Sequence, residues 1–255
     1  MKSTKADRVE NRIGLERVYA LLEAYRSGRL GGEKMPEEEN PGLDRGSLEN
    51  YIYFTLPMAL NYQRNSYILW ECANKAWHDE GTRDIYSIAA VADMSDDELR
   101  EKLMRHKVAL QRTRHPNTWK TLCRTFRNDF GGDVRRLLWE NEYSVQRIKA
   151  YMTEHRKEFP YLSGNKISNY WLYVLEQYTD TRFTDREYIT VAPDTHVIQA
   201  SVQLGVISRE EVAGTKVQKL VAARWQELLK GTELAPIDLH TPLWLWSRGK
   251  FQVEI

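Results

Sequence analysis

Apolar residues recur along most of the chain at intervals of three and four positions, the spacing of one face of an α-helix. The longest such stripe comprises Ile167, Tyr170, Trp171, Val174, Leu175 and Tyr178. A second stripe lies between Pro116 and the pair Gly131-Gly132 and comprises Trp119, Leu122, Cys123 and Phe126. Only residues 188–192 (YITVA) and 251–255 (FQVEI) alternate as strands do, and both stretches are short. The pattern predicts an all-α fold.

Polar residues indicate where several of these helices begin. The sequences SDDE at 95–98 and SREE at 208–211 are capping boxes, in which a serine and a glutamate satisfy backbone N–H groups at a helix start. The second one predicts a helix over about 212–230. Asp194 is expected to start a helix that runs through Leu204, and a further helix covers about 144–159.

A composition shift near the N-terminus predicts the domain organisation. A helix is expected over about residues 8–29, and residues 31–46 are acidic and rich in glycine and proline, which is typical of a linker or mobile loop. We therefore expect residues 1–47 to form an N-terminal helix plus linker and residues 48–255 to form the main domain.

Charge and cysteine content narrow the classes of function. The 255 residues carry a formal net charge of +1, so any nucleic-acid binding must use a local basic patch. Two cysteines, Cys72 and Cys123, cannot build a disulfide framework or a four-cysteine iron–sulfur site. No apolar run of membrane-spanning length and no signal peptide is found in the sequence. We expect a cytoplasmic protein without a membrane partner.

The stretch YLSGNKISNYW at 161–171 contains the first candidate chemistry. Leu162, Ser163 and Gly164 are typical of a tight turn, after which the long apolar stripe begins. Backbone N–H groups at such a helix start can bind a phosphate. Lys166 lies in or near the first helical turn, where the helix dipole disfavours a positive charge and favours the neutral amine, a potential nucleophile. On the residues of this stretch alone, an ordinary solvated lysine beside a turn is the favoured alternative.

The stretch VAPDTHV at 191–197 contains a second set of candidate functional residues. Pro193 fixes the chain as it enters a helix, and Asp194 stands at the N-terminus of that helix, where N–H donors favour its ionised form. A carboxylate held there can stabilise a cation that develops on a substrate. A plain N-cap accounts for the same residue, and His196 is expected to support the helix start.

Taken together, these stretches resemble the helix-hairpin-helix DNA glycosylase superfamily, in which a lysine-bearing hairpin is followed by a loop and a Pro/Val-Asp motif. Residues 56–77, which contain NYQRN, look like the family's early helix and lesion-facing turn, and PIDLHTPLWLWSRGK at 236–250 is similar to the C-terminal segment of archaeal 8-oxoguanine glycosylases. The hairpin, at about 151–178, is shorter than the usual family pattern and has one glycine. The resemblance implies two helical subdomains with an active-site cleft between them.

The resemblance also implies an activity. It predicts a bifunctional DNA glycosylase and abasic-site lyase that removes a damaged purine, 8-oxoguanine first, with Lys166 as the Schiff-base nucleophile and Asp194 as the catalytic carboxylate. Backbone amides of Ser163, Gly164 and Asn165 would hold a phosphate. The partner would be double-stranded DNA containing a damaged base, bound by a monomer without an iron–sulfur cluster or metal, in the nucleoid of a prokaryotic or archaeal cell.

Other candidate contacts with DNA are harder to separate from structural roles. The turn NYQRN offers Gln63 for the base edge, and three of its other residues could fill the vacated space: Asn61, Arg64 and Asn65. Trp244 and Trp246 could stack on an extruded purine. The basic run at 106–120 offers Lys107, Arg112, Arg114 and Lys120 to phosphates. Each set also has a purely structural interpretation. The residues of NYQRN could cap a helix, the two tryptophans could pack in the core, and the basic run could be an ordinary solvated face.

Three further hypotheses stay open at this level. The lesion could be an alkylated or deaminated base, because pocket residues decide that choice. A helix-hairpin-helix module that has lost catalysis would bind DNA without cleaving it. A helical scaffold for protein partners would use Lys166 and Asp194 only as caps.

Overall fold

A computed structural model describes the backbone of residues 5–31 and 35–255, with side chains from residue 14 onward. The regular structure of these residues is helical, which confirms the predicted all-α class. Its α-helices are α1 (Lys5–Arg26), α2 (Leu48–Thr55), α3 (Ser66–His78), α4 (Ile88–Asp93), α5 (Asp96–Arg105), α6 (Arg114–Phe130), α7 (Val134–Trp139), α8 (Val145–Glu154), α9 (Asn165–Tyr178), α10 (Thr195–Gln203), α11 (Val217–Leu228) and α12 (His240–Arg248). Among the described helices, none combines the length and the apolar character that crossing a lipid bilayer requires.

Several predicted helix ends coincide with observed caps. The Ser95 hydroxyl accepts a hydrogen bond from the Glu98 amide at 3.2 Å, and the Asp194 carboxylate accepts one from the Val197 amide at 3.0 Å. Gly131 ends α6 in the left-handed conformation, with φ of 61°, which explains the glycine at this position. Because these helix ends depend on hydrogen bonds between residues close together in the chain, they can be predicted from the sequence.

Two helices are shorter than expected. The helix predicted over 144–159 ends at Glu154, and residues 155–164 form consecutive turns instead. The second capping box does form, but it opens only the 3₁₀ turn Glu211–Ala213, and α11 begins at Val217. Gly214 separates the two segments in an extended conformation, with ψ of 138°, which interrupts the helix.

The two strand-like stretches are not strands: no described residue belongs to a β-strand. In 188–192, Ile189 and Val191 are fully buried, and the Ile189 carbonyl accepts one hydrogen bond, from the Ile237 amide at 3.2 Å. In 251–255, the Val253 carbonyl accepts from the indole of Trp246 at 2.8 Å. Alternate burial in both stretches therefore arises from packing on helices rather than from pairing with another strand.

The chain divides into two compact units, which we call unit 1 and unit 2. Unit 1 is the described part of Met1–Glu33 together with Arg186–Ile255, and unit 2 is Lys34–Asp185. Helix α1 thus belongs with α10 to α12. The hydrophobic core of unit 1 is built from α1 and α10 to α12, and its buried members include Leu21, Val197, Trp225, Leu239, Leu243 and Trp246. The expected domain boundary after residue 47 and the expected cleft between subdomains stay predictions.

Unit 2 has an aromatic core that fixes α9. Tyr178 stacks on Phe54 of α2 with ring centroids 5.0 Å apart, and the Trp171 indole donates to the Thr55 hydroxyl at 3.0 Å. Trp171 is fully buried. The predicted apolar stripe of α9 therefore faces the core of unit 2, and the start of the helix is held in a defined place.

From residue 35 onward, the acidic segment is part of unit 2 and packs on two of its helices. Residues Pro36–Glu38 form a 3₁₀ turn, and the Glu37 side chain, 1% exposed, accepts a hydrogen bond from the Tyr170 hydroxyl at 2.9 Å. Asn74 of α3 donates to the Glu39 carboxylate at 3.2 Å. Although the composition of residues 31–46 is that of a linker, residues 35–40 are tied to α3 and α9.

Candidate nucleic-acid interface

The turn before α9 is held by its own backbone. The Gly164 amide donates to the Tyr161 carbonyl at 2.9 Å, and the Ser163 hydroxyl donates to the Phe159 carbonyl at 2.8 Å. Phe159 and Leu162 are fully buried and anchor the turn. A Cβ atom at Gly164 would lie only 3.0 Å from the Tyr161 carbonyl oxygen. Glycine therefore permits the close approach of the chain to itself that this turn requires.

The first residues of α9 are available to solvent. Gly164 is the N-cap and provides no side-chain hydrogen bond, so N–H groups of the first turn are open to water or an anion. Asn165 and Lys166 are the first two helical residues, and both are exposed. Lys166 therefore lies at a helix start, as predicted, and phosphate binding by this turn stays a prediction.

The turn Asn61–Asn65 (NYQRN) consists largely of residues with structural partners. The Asn65 carboxamide caps α3 by accepting from the Tyr67 amide at 2.9 Å, and the Asn61 carboxamide accepts from Ser66 at 2.7 Å. Arg64 donates to two backbone carbonyls of the loop at 107–108, and its burial lowers the pKa of the guanidinium. Gln63, at a φ of 50°, is exposed, as is the capping residue Asn65.

A stacked pair of tyrosines joins this turn to the turn before α9. The rings of Tyr62 and Tyr161 lie 3.9 Å apart and are inclined by only 6°, and His115 meets Tyr62 edge-on at 5.4 Å. Tyr161 adopts a φ of 60°, an unfavourable conformation for a large side chain, so the surrounding contacts hold it there. The structure thereby brings two predicted contact segments together, although they lie about a hundred residues apart in sequence.

His115 is neutral in this cluster. Its Nδ1 atom accepts a hydrogen bond from the Leu110 amide at 3.1 Å, which places the proton on Nε2. Burial, together with the nearby charges of Arg64 and Arg114, lowers the pKa of His115 to about 4. The positive charge of the cluster therefore comes from the arginines and not from the histidine.

A groove of about 750 Å³ runs along this cluster in unit 2. Its described lining combines three cationic side chains with neutral polar ones and contains no carboxylate. The lining residues are Gln111, Arg112, Thr113, Arg114, Asn117, Thr118, Thr121, Lys157, Pro160 and Tyr161. Arg112 and Arg114 are both exposed, so the predicted basic run lines this groove together with Lys157, Pro160 and Tyr161. The residues of the predicted phosphate-binding turn, Ser163 to Lys166, follow directly in sequence but are not among the lining residues.

The remaining lysines of the basic run lie outside the groove. Lys120 is buried, and its ammonium group donates to the Met94 carbonyl at 2.7 Å and pairs with Asp96. It is therefore part of the packing of α5 against α6 and not available to phosphates. Lys107 is exposed, at a φ of 59°, but is not among the residues that line the groove.

Asp194 lies in unit 1, whereas Lys166 lies in unit 2. The half-buried Asp194 side chain caps α10, as predicted, and Pro193 precedes it. His196, two residues further on, shares a hydrogen bond of 3.2 Å with the Ser247 hydroxyl of α12, which supports the predicted structural role. The local geometry of Asp194 is that of an N-cap.

The two tryptophans of α12 differ in their surroundings. Trp246 is 4% exposed and belongs to the core of unit 1, so it is placed for packing rather than for stacking on a base. Trp244 is partly exposed, meets His196 edge-on at 5.8 Å and has the Arg248 guanidinium 4.8 Å from its ring centre. Of the pair, Trp244 is the side chain that a ligand could reach.

Sequence reasoning missed the tyrosine stack, His115 and Lys157. The only signal was that Tyr62 and Tyr161 each stand within a predicted contact turn. Among the described residues, no group of His, Cys, Asp and Glu side chains is arranged to hold a metal ion, and both cysteines are buried thiols. Comparison with protein-family models and with curated proteins finds no match to this chain.

Proposed function

We propose that this protein is a base-excision repair enzyme: a DNA N-glycosylase with abasic-site lyase activity that removes a damaged purine, with 8-oxoguanine as the first candidate. The observation that carries the proposal is the groove, in which the turn before α9 and the basic run lie side by side. Three cations and no carboxylate line its described part. Such a surface suits DNA, because phosphate neutralisation supplies most of the affinity that does not depend on sequence.

The groove supports the binding part of this proposal. Because the formal net charge of the chain is only +1, a duplex has to be bound by a local cluster of cations. The start of α9 adds backbone N–H groups and the exposed Lys166. Phosphate contacts of this kind position the duplex without reading its sequence. The proposed partner is accordingly double-stranded DNA, bound by a monomer in the nucleoid.

The catalytic part rests on the resemblance to helix-hairpin-helix glycosylases. The damaged base leaves the duplex and enters a pocket. A neutral lysine, Lys166 by the resemblance, then attacks C1′ of the deoxyribose, and the C1′–base bond breaks with its electron pair leaving on the base. Asp194 stabilises the positive charge that develops on the sugar. Opening of the sugar gives a Schiff base, from which loss of a C2′ proton and cleavage of the C3′–O bond follow.

A second candidate function is DNA binding without catalysis. It is favoured by a specific observation: the contact of Asp194 is that of a helix cap, and Lys166 is an exposed residue at a helix start. A duplex would then occupy the groove without being cut. A glycosylase for an alkylated or deaminated base is the alternative within the enzyme class.

The substitution Asp194→Asn separates these functions, because asparagine caps a helix as well as aspartate does but has no charge. With a duplex that contains one 8-oxoguanine, we expect base release, measured by alkaline strand cleavage, to slow by at least about 100-fold in the variant. Duplex affinity should change little. The matched control is Asp133→Asn, at the N-cap of α7.

Three outcomes are decisive. Equal rates for the Asp194→Asn variant and the wild type would exclude the carboxylate from catalysis. Release from duplexes with alkylated or deaminated bases, but not from 8-oxoguanine, would move the protein to the alternative lesion class. Tight binding by the wild type without release from any lesion would establish the binding module.

A further inference from the structure

Residues 35–40, which we call the strap, are held on the helices of unit 2 by neutral hydrogen-bond donors. The Tyr170 hydroxyl of α9 donates to the Glu37 carboxyl group at 2.9 Å, and the Asn74 carboxamide of α3 donates to the Glu39 carboxylate at 3.2 Å. The strap itself contains only a short 3₁₀ turn. These contacts with the helices, rather than a long helix of its own, therefore fix it in place.

The Glu37 side chain is enclosed, although it belongs to an acidic segment of the chain. It is 1% exposed, and its Oε2 atom accepts the hydrogen bond from Tyr170. Among the described residues, its Oε1 atom has no partner within hydrogen-bonding geometry. A buried carboxylate with an unsatisfied oxygen is costly, and the group avoids this cost by keeping its proton. The strap therefore fits its place when Glu37 is a neutral carboxylic acid.

The groups that face Glu37 from the neighbouring elements do not offset its burial. Burial raises the pKa of Glu37 to about 7, and the negative charge of Glu38 on the strap acts in the same direction. The Glu37 backbone amide, Tyr170 on α9 and Trp70 on α3 favour the ionised form but do not reverse the shift. The phenol of Tyr53 on α2 also faces this carboxyl group, and burial raises the pKa of Tyr53, so the phenol is neutral.

Glu39 gives the strap a second set of charged neighbours. It lines a neighbouring pocket of about 370 Å³ together with two histidines and further charged groups. The charged or titratable lining residues are Glu39, Glu71, Lys75, His78, Asp79 and His106. Lys75 pairs with Glu71, and His106 contacts Asp79 at 2.6 Å. Histidine ordinarily changes its charge between pH 5 and pH 8, so this pocket is an alternative source of a pH response in the strap.

We infer that the strap is a pH-operated clasp, which is closed on α3 and α9 while Glu37 is protonated and is released when Glu37 ionises. On ionisation the proton passes to water, the strap detaches, and the carboxylate becomes hydrated. The strap follows one of the two points at which the chain passes between unit 1 and unit 2. Its release therefore removes an anchor from the chain that joins α1 to α2. This inference does not depend on the proposed function.

The size of the response follows from the two environments of Glu37. In the closed strap its pKa is about 7, and in the released strap its pKa returns to the ordinary value of 4.5. The bound proton therefore stabilises the closed strap fully below pH 4.5, and this stabilisation is lost as the pH rises through about 7. Between pH 5 and pH 8, the equilibrium constant for release accordingly increases by about 70-fold.

Hydrogen exchange of the intact protein, measured by mass spectrometry at pH 5 and pH 8, tests the clasp. The amides of Glu38 and Asn40 donate to carbonyls within the closed strap, at 3.0 and 3.1 Å, and report its release. After correction for the intrinsic pH dependence of exchange, we expect protection of the wild-type strap to fall by about 70-fold, while α2 stays far more protected than the strap. In Glu37→Gln, which is neutral at both pH values, protection of the strap should not change.

The matched control is Glu39→Gln, which keeps an acceptor for Asn74 and removes the charge beside the histidines. It should respond to pH as the wild type does, and a response in these two proteins that is absent from Glu37→Gln supports the clasp. Equal protection of the wild-type strap at pH 5 and pH 8 would overturn the inference. A response that persists in Glu37→Gln or disappears in Glu39→Gln would overturn it too, because the histidine pocket would then contribute the response. Equal protection of the strap and α2 at both pH values would likewise overturn it, because the strap would then open only when unit 2 unfolds.

Discussion

At the scale of single residues, Glu37 is a buried carboxyl group outside the candidate site. Its carboxyl group is buried in unit 2 and accepts a hydrogen bond from the Tyr170 hydroxyl. Burial raises the pKa of Glu37 to about 7, from an ordinary value of 4.5. The folded protein therefore holds a proton that the unfolded chain releases between those two values.

This shift predicts the sign of a pH effect on stability. A carboxyl group with a raised pKa contributes most below pH 4.5, and its contribution is lost as the pH rises through about 7. In Glu37→Gln the side chain stays neutral at every pH. We expect the free energy of unfolding, measured in urea, to shift in favour of the variant between pH 5 and pH 8, by up to roughly 3 kcal/mol.

The matched control is Glu38→Gln, one residue further on. Glu38 is exposed and accepts a hydrogen bond from the Met35 amide at 2.8 Å. We expect the Glu38→Gln variant to have a slightly lower free energy of unfolding than the wild type, by nearly the same amount at pH 5 and at pH 8. Parallel pH curves for the wild type and Glu37→Gln would show that the carboxyl group titrates normally and is therefore hydrated.

At the scale of elements, the stack of Tyr62 on Tyr161 connects the turn after α2 to the turn before α9. Stacked aromatic pairs contribute about 0.5–1.5 kcal/mol beyond the area they bury. We expect a double-mutant cycle of Tyr62→Ala and Tyr161→Ala, measured by urea unfolding, to give a coupling free energy of about 1 kcal/mol. Both single variants should also weaken duplex binding, because Tyr161 lines the groove.

The conservative change Tyr161→Phe serves as the control, since it retains the ring and removes only the hydroxyl. We expect the cycle of Tyr62→Ala with Tyr161→Phe to show little coupling, because the phenyl ring still stacks. Additive effects of the two alanine substitutions would mean that the rings are merely adjacent, and that the two turns are held in place by other contacts.

The helical class and many helix ends could be predicted because they depend on residues close together in sequence. Ser95, Asp194 and Gly131 act within three residues of the ends they define. The end of α8 and the two strand-like stretches could not, because they depend on packing between distant segments. Alternation at 188–192, for example, arises from burial of Ile189 and Val191.

For the candidate site, the sequence likewise predicted individual residues and local turns but not their arrangement in space. The sequence indicated Arg112, Arg114 and the turn before α9, but not that they share a groove, which follows from tertiary contacts. It also grouped Lys120 with the basic residues, because a sequence pattern cannot distinguish an exposed lysine from one that pairs with Asp96.

At the scale of the whole molecule, the balanced charge predicts a weak salt dependence of DNA binding. Each neutralised phosphate of B-DNA contributes about −0.9 to the slope of log K against log salt concentration. If the three groove cations, Arg112, Arg114 and Lys157, are the principal contacts, the slope should be near −3. It should fall in magnitude by about one for Arg112→Gln and again for Arg114→Gln.

The control for this experiment is Arg100→Gln, on α5, where the arginine pairs with Asp97 on the surface. Because Arg100 does not line the groove, the slope should remain that of the wild type. Fluorescence anisotropy of a labelled duplex over a salt series measures all four slopes. If Arg100→Gln and Arg114→Gln reduced the salt slope by the same amount, DNA binding would depend on the total charge of the protein and not on the groove. A local binding site, in contrast, makes the effect of a substitution depend on where the cation lies.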